Sequence, residues 1–224
     1  MNGRQIGRSS GIAVLLGTVV FAVHIVLRSV IAAGGEPVEY APGAPWLAVN
    51  ALGVLGAGLV LLGLPAVYGR MAGAAGKSGL AGMVLLALAW LFFGWFLSLY
   101  ALLVQPWLAQ AAPALVAADA ALPAGLLAAF VAALLAWLVG AVLLAVPFVR
   151  DHVRPRWVGY LLILAGVWMV AGNLLIAPSG PASNLALNLL SNLGPVLLMV
   201  PLGYLGYQLW VENGEEREGV PAAV

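Results

Sequence analysis

Long apolar runs broken by short polar joints dominate the chain, and none of them alternates apolar and polar residues with the period of two that a barrel strand requires. Crossing the hydrocarbon core takes about 20 mainly apolar residues in a helix. Six segments reach that length: roughly 10–33, 46–69, 79–104, 123–149, 157–177 and 184–210. The pattern predicts an all-α, polytopic membrane helix bundle of six transmembrane helices, followed by a polar tail over 211–224. An alternative makes residues 1–33 a cleaved signal peptide ending near Ala32-Ala33-Gly34. That run exceeds the usual signal core of about 7–15 residues and contains Arg28, which favours a retained first span.

Each outward-to-inward segment finishes on one pattern, Gly-x-Val-Leu-Leu-x-(Leu/Val)-Pro, at Gly58–Pro65, Gly140–Pro147 and Gly194–Pro201. Each partner segment opens with a basic residue and then a glycine: Arg8 and Gly11, Lys77 and Gly79, Arg156 and Gly159. Three helical hairpins are expected, each bent near its proline, because the missing N–H frees a carbonyl one turn earlier. Gly, Val, Leu and Pro are abundant throughout, so convergence within a small alphabet explains the repeat as well as descent does. Ala124, Ala128, Ala132, Ala136 and Gly140 recur at every fourth position and predict a closely packed helix face.

Composition strengthens the membrane reading. Of 224 residues, 64% are hydrophobic and 8% charged, with a mean hydropathy of +1.08. A soluble domain carries about a quarter charged residues. A net charge of +1 provides no basic surface for nucleic acid, and zero Cys excludes disulfides, thiolate nucleophiles and Cys-bearing metal sites.

Charge placement sets the expected orientation. Arg4, Arg8, Arg70, Lys77, Arg150, Arg154, Arg156 and Arg217 flank one side of the spans, whereas the alternate loops hold only Glu36, Glu39 and Asp119. Lys and Arg are retained on the cytoplasmic side, so both termini are expected there. Trp46 and Trp107 are expected at the outer interface, and Trp157, Tyr160, Tyr204, Tyr207 and Trp210 at the inner one.

Polar residues within spans gather in the outer half: His24 and Arg28, Asn50, Ser98, Asn173, and a stripe of Asn184, Asn188 and Asn192. Facing one another they outline an outer polar cavity; otherwise they hydrogen-bond between helices. Arg28 is the one charged residue inside a span. It either snorkels to Glu36 or Glu39 or points inward, and no span carries a carboxylate to neutralise it, so an inward Arg28 favours an anionic partner. His24 is read as a hydrogen-bonded bundle histidine, against a proton donor, a metal or haem ligand, or a pair with Ser98 or Ser191. Trp90, Phe92, Phe93, Trp95 and Phe96 either pack or stack against a flat hydrophobic ligand.

The stretches Asn50–Gly53, Gly63–Tyr68, Gln105–Ala109 and Pro155–Tyr160 resemble uncharacterised six-span integral membrane proteins of high-GC bacteria. That resemblance implies a bacterial plasma membrane and carries no activity. No catalytic set, metal site or cofactor motif is evident. The leading expectation is a non-catalytic membrane protein that binds a lipid or small anionic amphiphile through Arg28, His24, Asn50, Asn173, Asn184, Asn188 and Asn192. A structural or partner-binding subunit, as a homo-oligomer or in a larger complex, is the near alternative, with a small permease or an intramembrane enzyme behind it.

Overall fold

A computed structural model describes residues 3–117, 123–150, 155–176 and 184–215, which are mostly helical with no strand among them. The helices are α1 (Gly3–Ala32), α2 (Pro37–Tyr40), α3 (Ala44–Trp90), α4 (Leu97–Leu99), α5 (Gln105–Ala111), α6 (Ala124–Val149), α7 (Arg156–Ala171), α8 (Leu185–Ser191) and α9 (Leu193–Glu215). Five helical stretches are long and apolar enough to cross a membrane: Gln5–Ala32, Ala44–Ala111, Ala124–Val149, Arg156–Ile176 and Leu193–Glu212.

The second stretch covers 68 residues, so as a straight rod it would extend about 100 Å, more than three hydrocarbon cores. It folds back instead. Gly76 lies at φ 57° and ψ −156°, a left-handed conformation that a Cβ would strain. Trp46 Nε1 donates to Ala101 O at 3.0 Å and Trp90 Nε1 to Ala57 O at 3.2 Å, while Gly53 lies against Ser98. As one partner's number rises the other's falls, so the two arms run antiparallel about a pivot close to Gly76. The predicted segments 46–69 and 79–104 are these two arms.

The helices close into a ring. The first arm of α3 packs on α1, its second on α6, α6 on α7, α7 on α9, and α9 again on α1. Three of these junctions rest on paired glycines. A Cβ on Gly17 would lie 2.8 Å from Gly56 O, one on Gly82 2.9 Å from Gly140 O, and one on Gly11 2.7 Å from Gly206 O. Within lipid no hydrophobic effect joins helices, and such close backbone approach lets dispersion do so. Trp90, Trp137, Phe148, Leu86, Leu144, Leu162 and Leu198 fill the middle, while Leu55, Leu62, Leu175 and many other large apolar side chains lie on the outside. An apolar exterior around a packed interior is the arrangement lipid solvates.

Several expectations change. Ala124, Ala128 and Ala132 are exposed and only Gly140, at the C-terminal end of the stripe, is buried. Phe130, Ala133, Leu134 and Trp137 occupy the inward face of α6 at helical spacing instead. The segment 184–210 is two helices, broken at Asn192, and helical structure continues into the tail as far as Glu215. Pro65, Pro147 and Pro201 each lie inside a helix that continues past them. The motif glycines differ in role, since Gly140 meets α3 backbone and Gly194 meets α7 backbone, but Gly58 approaches nothing nearer than Trp95.

Trp46 is not an interfacial anchor. It is 2% exposed, in a second cluster with Ala32, Ala41, Val49, Ala101 and Ala109, beside Tyr40 at 4.6 Å between ring centres. At the opposite end Arg70 donates from Nε to Glu212 Oε2 at 2.8 Å, from Nη1 to Gln208 at 2.6 Å and from Nη2 to Glu212 Oε1. That fork ties the first arm of α3 to α9.

Candidate functional site

Inside the half of the ring that holds the C-terminal end of α1 lies a cavity of about 170 Å³. Its aromatic floor follows from the crowding of large rings on the inward faces of α1, α3 and α6. Phe21 and Trp90 stand 4.6 Å apart between ring centres, Trp90 and Trp137 5.6 Å, and Phe93 and Phe130 5.2 Å. Arg28, Asn173 and Asn192 line the cavity with Gly94 and Pro195. Three of the seven residues expected at an outer site therefore meet here, from three different elements.

Local backbone irregularity accompanies these positions. The chain takes π-helical turns over Leu91–Phe96 and Gly172–Ile176, which present Phe93, Gly94 and Asn173 to the cavity. Such turns displace a side chain from the regular register and occur often at functional sites. Asn192 is the residue at which α8 stops before α9 begins. Its amide donates to Asn188 O at 2.9 Å and Asn188 Oδ1 at 2.8 Å, and the Asn173 amide donates to Met169 O at 2.8 Å.

Arg28 supplies the charge. Among the described residues no carboxylate lies within ion-pair distance of it, and Glu39 is turned to the Glu36 backbone N–H in a capping box. The snorkelling pair with Glu36 or Glu39 is therefore not formed. The guanidinium sits 5.4 Å from the centre of the Trp46 ring, a cation–π contact. Arg28 stays partly exposed, and such a contact contributes about 0.5–2 kcal/mol to holding it. Trp137 adds a donor the sequence reading overlooked: it is fully buried, lines the cavity, and its Nε1–H has no acceptor among the described residues. Its inward spacing with Phe130 and Leu134 was the available signal.

The other expected residues lie elsewhere. His24 and Asn50 are wholly buried but do not line the cavity, with His24 Nδ1 2.7 Å from Val49 O and the Asn50 amide donating to Trp46 O at 2.8 Å. Asn184 caps α8, its side chain accepting from Leu187 N at 3.2 Å, and Asn188 receives the Asn192 amide. Ser191 donates to Asn188 O at 2.9 Å. Of the aromatic group, Trp90 and Phe93 line the cavity, whereas Phe92 stacks on Phe96, itself 43% exposed. His152 lies outside the described residues.

No protein-family model, curated protein or solved structure matches the chain.

Proposed function

We propose that the chain is a six-crossing plasma-membrane protein of bacterial type, with both termini cytoplasmic, that binds the anionic head group of a lipid or small amphiphile without catalysing its conversion. The two antiparallel arms about Gly76 support counting the 68-residue run as two crossings, and the one-sided Lys and Arg support the orientation.

The observation that carries the ligand reading is Arg28, partly exposed, lining a cavity between the helices with no carboxylate partner among the described residues. An anion there neutralises the guanidinium, and Trp137 Nε1–H supplies a second donor. Volume limits the occupant. Sites for whole drug-sized ligands run to about 300–1,000 Å³, so a cavity of about 170 Å³ takes one phosphate- or carboxylate-sized group while its hydrocarbon remains in lipid.

Native mass spectrometry of gently extracted protein, with lipidomics of what it carries, tests this. A discrete anionic adduct is expected on the wild type, absent from Arg28→Ala. Trp137→Phe keeps the ring and removes the N–H, and is expected to weaken the adduct about tenfold or more, as for a hydrogen bond to a charged group. Wild type carrying no specific adduct would overturn the ligand reading in favour of a structural subunit.

A further inference from the structure

The cavity that Arg28 lines also carries hydrogen-bond acceptors, and these constrain its occupant further than the charge does. Asn173 reaches the cavity from the π turn after α7, and Asn192 from the break between α8 and α9. A side-chain amide has two hydrogens to donate. Asn173 Nδ2 directs them to Met169 O at 2.8 Å and Met169 Sδ at 3.6 Å, and Asn192 Nδ2 to Asn188 O at 2.9 Å and Asn188 Oδ1 at 2.8 Å. A backbone carbonyl only accepts, so these contacts fix which atom of each amide faces its own helix; reversing either amide would set oxygen against oxygen. What both residues have left for an occupant is the carbonyl oxygen, and neither Oδ1 has a partner among the described residues.

The cavity wall therefore presents two kinds of group. Arg28 and Trp137 Nε1–H donate, whereas Asn173 Oδ1 and Asn192 Oδ1 accept. A bare anion satisfies the first pair and brings no hydrogen to the second. The complement of all four is an anion that carries a donor of its own. Charge selects that donor. Arg28 is the one charged residue lining the cavity, so one anion balances it, and an ammonium in the same molecule would restore the positive charge beside neutral amide oxygens. A hydroxyl donates without adding charge. Volume permits it, since an apolar cavity of about 150 Å³ takes one benzene molecule. The 170 Å³ available here holds a phosphate or carboxylate with a hydroxyl beside it.

Resting on the anion-binding reading above, we propose that the occupant is a hydroxylated anion. Arg28 and Trp137 hold its phosphate or carboxylate, and Asn173 Oδ1 and Asn192 Oδ1 accept from its hydroxyl. That chemistry is supplied either by a lipid head group of the phosphoglycerol type or by a free glycerol phosphate.

Native mass spectrometry of the full chain titrated with short-chain phosphatidylglycerol, phosphatidylmethanol and phosphatidylcholine tests the proposal. Phosphatidylmethanol carries the same charge as phosphatidylglycerol and no hydroxyl. Wild type is expected to retain phosphatidylglycerol on the order of threefold to tenfold more tightly than phosphatidylmethanol, as for one neutral hydrogen bond, and both more tightly than phosphatidylcholine. Asn173→Leu and Asn192→Leu keep the side-chain volume and remove the oxygen; each is expected to bring the ratio toward one without weakening phosphatidylmethanol. The same comparison with glycerol phosphate and methyl phosphate identifies the source. An equal preference there assigns a free anion, and a preference among the lipids alone assigns a head group. Equal retention of phosphatidylglycerol and phosphatidylmethanol by wild type, with both lost in Arg28→Ala, would overturn this proposal and leave anion binding standing. Retention of neither above phosphatidylcholine would overturn both readings. A ratio unchanged in folded Asn173→Leu and Asn192→Leu would overturn the proposal as well.

Discussion

At the scale of the residue, burial and charge act on Tyr40, which ends α2, the short helix between α1 and α3. Burial pushes its phenol above the usual range near 10, the Arg28 charge pulls it back, and Glu36 pushes it up again, with the net direction upward. A raised acid favours the neutral form in the fold, so the unfolded chain loses that proton first as pH rises. Stability is then expected to fall above about pH 10, the unfolded phenol's range. Thermal melts of wild type and Tyr40→Phe between pH 8 and 11 check this, the variant being expected to lose less stability over the alkaline part. Arg28 was legible in the sequence as the residue to watch because it alone is charged within a span. Its direction was not, because snorkelling and inward pointing differ by a rotamer that only the neighbouring Trp46 ring decides.

At the scale of the element, the glycines divide into two classes that composition does not separate. At Gly17, Gly82 and Gly11 a Cβ would meet opposing backbone within 3.0 Å, whereas Gly69 and Gly73 have nothing within 4 Å. Ala at the first class is expected to cost about 1–3 kcal/mol through forced separation of helices. Ala at Gly69 or Gly73 is expected to be neutral or to stabilise by up to about 1 kcal/mol, because Ala is the better helix former. Thermal unfolding in one detergent across the set separates the classes. Helix positions were readable from apolar length. The π turns and the break at Asn192 were not, because both arise from side chains and neighbours that a hydropathy window averages away.

At the scale of the whole molecule, the fold-back at Gly76 makes the 68-residue run two crossings in the proposed topology. The chain contains no Cys, so single cysteines can be introduced without background. In oriented membranes, cysteines at Lys77, Arg8 and Arg150 are expected to react with an impermeant reagent from one side, and one at Glu36 from the other. A cysteine at Lys77 shielded by lipid would instead mean that the run crosses once. The uneven partition of Lys and Arg gives an expected orientation, whereas the ring was not legible, since apolar periodicity says nothing about which helices become neighbours. The cavity was half legible. The polar residues of the spans pointed to it, but His24 and Asn50 bond to the backbone of α3 instead, at Val49 O and Trp46 O, while Trp137, which the sequence reading passed over, brought a donor to the wall.

Ring closure through Gly11 and Gly206 has a consequence for the order of assembly. Helix α1 is completed by α9, which is synthesised long after it. At about 5–20 residues per second of synthesis, α1 has one glycine face against α3 early, while its other face waits on the order of ten seconds or more for α9 to leave the ribosome. Until then the bundle is an open arc, its interior accessible to lipid from the side. The ring thus closes only once α9 has been made.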